Sequence, residues 1–211
     1  MKTKSEVLFE RFLLTNHLPF EKILEDTTPR PDYRVSLGGS QMIFELKELV
    51  EDGNFGVVTD PTYPGIGSSS RTLGEHIRRR IGDSKTQKQI QFGAVQGVPS
   101  VLLIYNNIDS VFQDFGTEPM DFIAAMYGAY TILIDKETSA ASDLFNGKDR
   151  MLQANKNTSF SAVGHLRDHG GNTTVTLYEN VFAKVKAPYT QLPACFDVRR
   201  IDVSTDAVIV P

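Results

Sequence analysis

Between residues 29 and 48 the chain reads PRPDYRVSLGGSQMIFELKE: two stretches of alternating apolar and polar residues joined by Gly-Gly. Alternation of this kind marks a strand with one buried face, and double glycine accepts the positive backbone angles of a tight hairpin. A reversal at Gly38-Gly39 sets Leu37 opposite Ser40, Val35 opposite Met42, Tyr33 opposite Phe44 and Asp32 opposite Glu45. One face then carries Tyr33, Val35, Leu37, Met42, Phe44 and Leu46, apolar at every position. The other carries Asp32, Arg34, Ser36, Gln41, Ile43, Glu45 and Lys47. A slip of one residue in either strand would mix the two faces, so the pattern predicts the register.

The flanking pattern predicts further elements. Leu8, Phe9, Phe12 and Leu13 recur at the helical period, giving a helix over residues 5–14 with Ser5 as its N-cap and Glu6 and Glu10 on one side. A short apolar piece, FEKILED, follows Pro19. Residues 51–70 are rich in Gly, Pro and Ser and read as a long loop. Residues 73–95 read as helical with a break near Gly82. SVLLIYN, Ser100–Asn106, is a continuous apolar run suited to a central strand covered on both faces. MDFIAAMYGAY reads as a helix feeding a strand TILID at 131–135, and residues 138–160 as a second loop. FSAVGHLRD and TTVTLYEN read as strands joined by HGGN, with a last strand at 196–203. Buried and amphipathic strands mixed with helices predict a single α/β or α+β sheet domain spanning residues 1–211.

Composition narrows the function classes. With 211 residues and 40% hydrophobic content the chain can bury a core. No apolar run approaches the ~18 residues of a membrane span, and acids interrupt the apolar stretch that follows the N-terminal lysines, unlike a signal peptide. The single cysteine, Cys195, builds neither an internal disulfide nor a zinc cluster with other cysteines; it reads as a small buried hydrophobe, and the setting as reducing and cytoplasmic. The net charge of -4 confines nucleic-acid binding to a local patch. Residues 71–89 supply one, with Arg71, Arg78, Arg79, Arg80, Lys85 and Lys88 against Glu75 and Asp83. Arg78 and Lys85 share a side if the helix continues through Gly82. The patch reads equally as a solvated helix face. His165 and His169 lack an HExxH context and read as strand-end residues rather than a zinc pair.

The hairpin raises a sharper question. In the predicted register the Asp32 and Glu45 Cβ atoms lie about 5 Å apart, and like charges so placed repel. A divalent cation would resolve that repulsion, magnesium being suited to carboxylate oxygens. Lys47, two residues beyond Glu45, projects to the same side, where it could act on a water or stabilise negative charge. The competing reading is an ordinary sheet face in water, with Arg34 and Lys47 screening the acids.

The order of an acid-bearing helix (Glu6, Glu10), Pro31-Asp32 on one strand and Glu45-Leu46-Lys47 on the next resembles the PD-(D/E)xK nuclease superfamily, which includes type II restriction enzymes, resolvases and repair nucleases. The resemblance covers residues 5–106, half the chain. It implies a restriction endonuclease-like α/β fold, a central mixed sheet flanked by helices. It also implies that Asp32 and Glu45 ligate Mg²⁺ (or Mn²⁺ in its place), that Lys47 is the catalytic lysine, and that Glu6, or less so Glu10, is the upstream acid that completes the metal shell. The later helix carrying Lys85, Lys88 and Gln89 before the apolar strand resembles the helix that turns a Lys or Gln toward the site. Arg71, Arg78, Lys85, Lys88 and Gln89 are then the expected nucleic-acid contacts. The expectation is a Mg²⁺-dependent endonuclease acting on DNA, with RNA as an alternative substrate, no membrane partner, and a homodimer compatible with cutting both strands. The alternative is a non-catalytic nucleic-acid-binding or assembly protein, such as a phage or host-defence component, on the same fold.

Overall fold

The computed structural model describes residues 2–24, 26–37, 39–50, 72–107 and 119–200, together with the two-residue strands Val58–Thr59, Gly67–Ser68, Ile201–Asp202 and Val208–Ile209. The expected loop at 51–70 lies mostly outside the described residues. Seven strands form one sheet, and they lie side by side in chain order: β1 (Phe20–Lys22), β2 (Tyr33–Leu37), β3 (Ser40–Leu49), β4 (Ser100–Asn106), β5 (Ala162–His169), β6 (Asn172–Glu179) and β7 (Phe196–Arg199). β2 is antiparallel to both β1 and β3, β3, β4 and β5 run parallel, β6 is antiparallel to β5, and β7 is parallel to β6. The protein is therefore α/β, with a mixed sheet between two layers of helix.

The hairpin register is the one the alternation demands from Tyr33 onward: Leu37 pairs with Ser40, Val35 with Met42 and Tyr33 with Phe44, whereas Asp32, expected opposite Glu45, lies in the bend just outside the ladder. Gly39 at the turn has φ +94°, a conformation that disfavours a side chain. All six residues of the apolar face are buried, against helix α1 (Lys4–Thr15), whose Leu8, Phe9, Phe12 and Leu13 share that core with alternate residues of β4 to β7. The opposite face of the sheet is covered by α2 (Glu75–Gly82), α3 (Ser84–Ala94) and α4 (Met120–Tyr127). β4, buried along its whole length, alternates between the layers: Val101, Leu103 and Tyr105 toward α1, Leu102 and Ile104 toward the other helices. The HGGN turn joins β5 and β6 as expected, with Gly170 and Gly171 both at positive φ.

Several local expectations are corrected. The N-cap of α1 is Thr3, not Ser5. The Thr3 hydroxyl accepts from the Glu6 N–H while the Glu6 carboxylate accepts from the Thr3 N–H, a reciprocal capping box that leaves Ser5 buried inside the helix. FEKILED supplies an edge strand, β1, antiparallel to β2. TILID is no strand of the main sheet. Tyr130–Thr131 pairs with Phe145–Asn146, and Ile134 bridges to Ala141. Asp135 Oδ1 accepts the N–H groups of Glu137 and Thr138, an Asx turn that folds the segment back on itself. Ile132, Leu133 and Ile134 are consequently 52, 62 and 67% exposed, since an apolar run of this length does not by itself say what it pairs with. The last strand is also shorter than expected: β7 ends at Arg199, and Ile201–Asp202 pairs with Val208–Ile209. Among the described residues no helix is long and apolar enough to cross a membrane.

Candidate active site

β3 is ten residues long and its antiparallel partner β2 only five, so the second half of β3 outruns β2 and leaves an edge to be satisfied by other means. Asp32, in the bend just before β2, does this. Its N–H donates to the Phe44 carbonyl (3.1 Å), its own carbonyl accepts from Ile23 N–H (2.8 Å), and its carboxylate Oδ2 accepts from Leu46 N–H (2.8 Å). One short acid thus ties β1, β2 and β3 together where they diverge. An open cleft of about 520 Å³ lies there, lined by Glu6, Lys22, Asp32, Lys47 and Glu48 among others.

Glu45 points to the α2–α4 side of the sheet, beside Leu102 on β4. It is 1% exposed. Its Oε1 accepts from Lys47 Nζ at 2.5 Å, whereas Oε2 is buried with no hydrogen-bond partner among the described residues. Burial, and then the negative charge of Asp32, push the Glu45 carboxyl up to about 8 against the opposing pull of Lys47. Burial likewise raises Asp32, with the Glu6 charge adding to the effect and the Leu46 N–H and Lys47 working against it. Lys47 is held from a second side: its ammonium also donates to Gln89 Oε1 (3.2 Å), and Gln89 Nε2 donates to the Arg30 carbonyl (2.9 Å). Gln89 is buried in α3, so this helix fixes the lysine from across the sheet face. The face predicted to be polar is therefore no solvated surface around Glu45.

Asp32, Glu45, Lys47 and Gln89 are thus brought together. Glu6 stands on the opposite rim of the cleft, but both its oxygens are engaged: Oε2 by Thr3 N–H (2.7 Å) and Oε1 by the Lys22 ammonium. Burial, the largest influence on Glu6, pushes it up, yet Lys22 and Thr3 together hold it below the usual glutamate range. Glu10 accepts from the Tyr33 hydroxyl (2.8 Å) and pairs with Lys2. Among the described residues no group of three or more His, Cys, Asp or Glu side chains is gathered as a metal site. The donor set offered is two carboxylates, which suits magnesium, an ion that keeps several waters and takes one or two protein carboxylates.

The expected nucleic-acid contacts separate. Arg71 lies outside the described residues. Asp83 breaks the helical segment, its extended backbone ending α2 and its Oδ1 capping α3 through Thr86 N–H (2.8 Å), so Arg78 and Lys85 lie on different helices and the side they were to share does not exist. The Arg78 guanidinium donates to the carbonyls of Leu73 (2.8 Å) and Ala124 (3.3 Å), joining α2 to α4. Lys85 and Lys88 are exposed on α3, and the charge of Lys85 reaches Glu45. Sequence reasoning missed Lys22 and Glu48. Lys22 went unnoticed because β1 is too short to show a period. Glu48, whose Oε1 accepts from Ser5 N–H (2.6 Å) at the start of α1, is adjacent to the motif but without a spacing that marks it.

No protein-family model, no curated protein and no solved structure matches this chain.

Proposed function

We propose that this chain is a Mg²⁺-dependent nuclease of restriction endonuclease-like fold that hydrolyses phosphodiester bonds in DNA. The observation that carries the reading is Glu45 Oε2, a buried carboxylate oxygen without a hydrogen-bond partner among the described residues, near a second carboxylate whose charge raises it. A polar atom left unpaired in a protein interior is costly, and two adjacent acids add repulsion. A divalent cation held by Asp32 and Glu45 removes both penalties. Such an ion supplies polarisation of a phosphate oxygen and a more acidic water.

The remaining chemistry belongs to the chain. Asp32 is positioned by three main-chain contacts and Glu45 by the sheet, so neither rotates freely. Lys47 is held by Glu45 and Gln89 with its side chain 19% exposed at the cleft, where it stabilises the negative charge that builds on a phosphate under attack. Water adds its oxygen to phosphorus and gives up a proton, one ester P–O bond breaks, and the departing alkoxide takes up a proton in return. The mixed sheet, with its antiparallel motif hairpin continued by a parallel strand and helices on both faces, supports the fold part of the reading.

A binding or assembly protein on the same fold is the second reading, favoured by the direct Lys47–Glu45 pair, which neutralises half the site without a metal. Mn²⁺ titration of wild type, Asp32→Ala and Glu45→Gln, alongside cleavage of plasmid and single-stranded DNA and of RNA with Mg²⁺ or Mn²⁺, separates the two. Binding that depends on both acids and cleavage that depends on Lys47 are expected. A wild type that neither binds Mn²⁺ nor cuts any of these substrates overturns the nuclease.

A further inference from the structure

The cleft contains a second lysine that the motif does not account for. Lys22, the last residue of edge strand β1, lines the same cavity as Asp32 and Lys47, and its ammonium is paired with Glu6. It lies 5.9 Å from the centre of the Tyr33 ring, and it is close enough to Asp32 and Glu10 for their charges to act on it. Lys22 is 41% exposed, whereas Glu6 is 12% exposed. Glu6 in turn is fixed by the capping box of α1, a purely local structure.

Resting on the nuclease reading, we propose that Lys22 binds a backbone phosphate of the nucleic-acid strand in the cleft, and that Glu6 serves to hold this lysine in place rather than to ligate the metal. A half-exposed ion pair contributes little to stability, because water screens it and two long side chains must be ordered to form it. Exchanging Glu6 for a phosphate therefore costs the lysine little. Glu6 is not stranded by the exchange, since Thr3 N–H (2.7 Å) and Thr3 Oγ1 (3.2 Å) still donate to its Oε2. A flexible stem with a compact charge suits a lysine for following a phosphate. The acids of the cleft supply a reason for a second cation: among the described residues Glu6, Asp32 and Glu48 line it with only Lys22 and Lys47 in opposition, so a polyanion needs both lysines to approach. Lys22 also stands off the Asp32–Glu45–Lys47 cluster, on the β1 side of Asp32, which assigns it to a phosphate next to the scissile one.

The test uses the full chain and a fluorescein-labelled DNA oligonucleotide, with binding read by anisotropy in EDTA across a salt series and cleavage read with Mg²⁺. Lys22→Gln is expected to weaken binding at least fivefold at low salt, to lower the slope of log K against log [salt] by about 1, and to raise KM with kcat little changed. Lys22→Arg is expected to restore binding, which a merely structural role in β1 would not require. Glu6→Gln is expected to leave Mn²⁺ affinity within twofold of wild type. Unchanged binding and slope in Lys22→Gln would overturn the phosphate role while leaving the nuclease intact, and a tenfold loss of Mn²⁺ affinity in Glu6→Gln would overturn the role given to Glu6. A wild type that binds no oligonucleotide would overturn this inference and the nuclease together.

Discussion

The carboxylate of Asp32 accepts the main-chain N–H of Leu46 at 2.8 Å, so the acid in the bend before β2 is clamped to the residue between Glu45 and Lys47 on β3. The contact gives Asp32 a structural task besides any chemical one, and the two can be pulled apart. Asp32→Asn keeps an acceptor for Leu46 and is expected to unfold within about 0.5 kcal/mol of wild type, whereas Asp32→Ala leaves the N–H without that partner and is expected to lose about 1 kcal/mol. Urea unfolding measures the difference. Both variants are expected to lose DNA cleavage, because a neutral amide oxygen holds a divalent cation far more weakly than a carboxylate and alanine does not hold it at all; an active Asp32→Asn would remove Asp32 from the chemistry.

Glu45 makes the metal-free protein sensitive to pH in a definite direction. Its folded-state value is raised from 4.5 to about 8, so its contribution is fully present below about pH 4.5 and is lost as pH rises toward 8. The stability of wild type relative to Glu45→Gln, measured in EDTA by denaturant unfolding at pH 5, 6.5 and 8, is therefore expected to fall with rising pH, by roughly 1 kcal/mol per unit at its steepest. The same shift requires that metal binding displace a proton. Mn²⁺ affinity is expected to rise over the same window, with proton release visible in calorimetry in buffers of different ionisation enthalpy. A flat wild-type profile would count against the buried carboxylate.

Lys47 holds its place through Glu45 and Gln89. Lys47→Ala is expected to reduce cleavage by about 10²-fold or more, in the range seen when an acid-base or charge-stabilising side chain is removed, while Mn²⁺ binding persists. Gln89→Leu removes the second contact and the tie to Arg30, and is expected to lower kcat by a smaller factor, about 10-fold. Single-turnover cleavage distinguishes the two. A Lys47→Ala protein that cuts at the wild-type rate would exclude the role.

Gly93 sets how closely α3 approaches the sheet. A Cβ there would stand 2.3 Å from Ser100 Oγ, 2.8 Å from Ile43 Cδ1 and 3.2 Å from the Val98 carbonyl oxygen, so fully buried side chains would have to shift. Gly93→Ala is expected to cost about 1–3 kcal/mol in overpacking, despite alanine's better helix propensity. It is also expected to lower activity, because lifting α3 moves Gln89 away from Lys47. Thermal melts and cleavage rates check the pair of effects together.

Much of this was legible in the residues themselves. Tyr33, Val35, Leu37, Met42, Phe44 and Leu46 form a single apolar face only in one register, and side chains alternate strictly along a strand, so hydrophobic pattern alone places Asp32 near Glu45 and Lys47 on the same side. The run Ser100–Asn106, apolar throughout, announces a strand covered on both faces for the same reason. TILID shows the limit: Ile132, Leu133 and Ile134 have the composition of a buried strand, yet local turn hydrogen bonds at Asp135 fold them into an exposed hairpin. Arg78 shows another, for a cation's sequence neighbours do not reveal which carbonyls lie within its reach.

What the sequence by itself determined is what depends on period: the hairpin and its register from Tyr33 to Phe44, the amphipathic α1, and the placing of Glu45 and Lys47 on one side of β3. Tertiary structure alone decided that Glu45 is buried and half unpaired, that Gln89 reaches across from α3 to hold Lys47, and that Lys22 meets Glu6 over the cleft. Each of those depends on which helix covers which face of the sheet and on where a short strand stops beside a longer one. Distances between segments far apart in the chain are set by packing, and no local pattern of residues contains them.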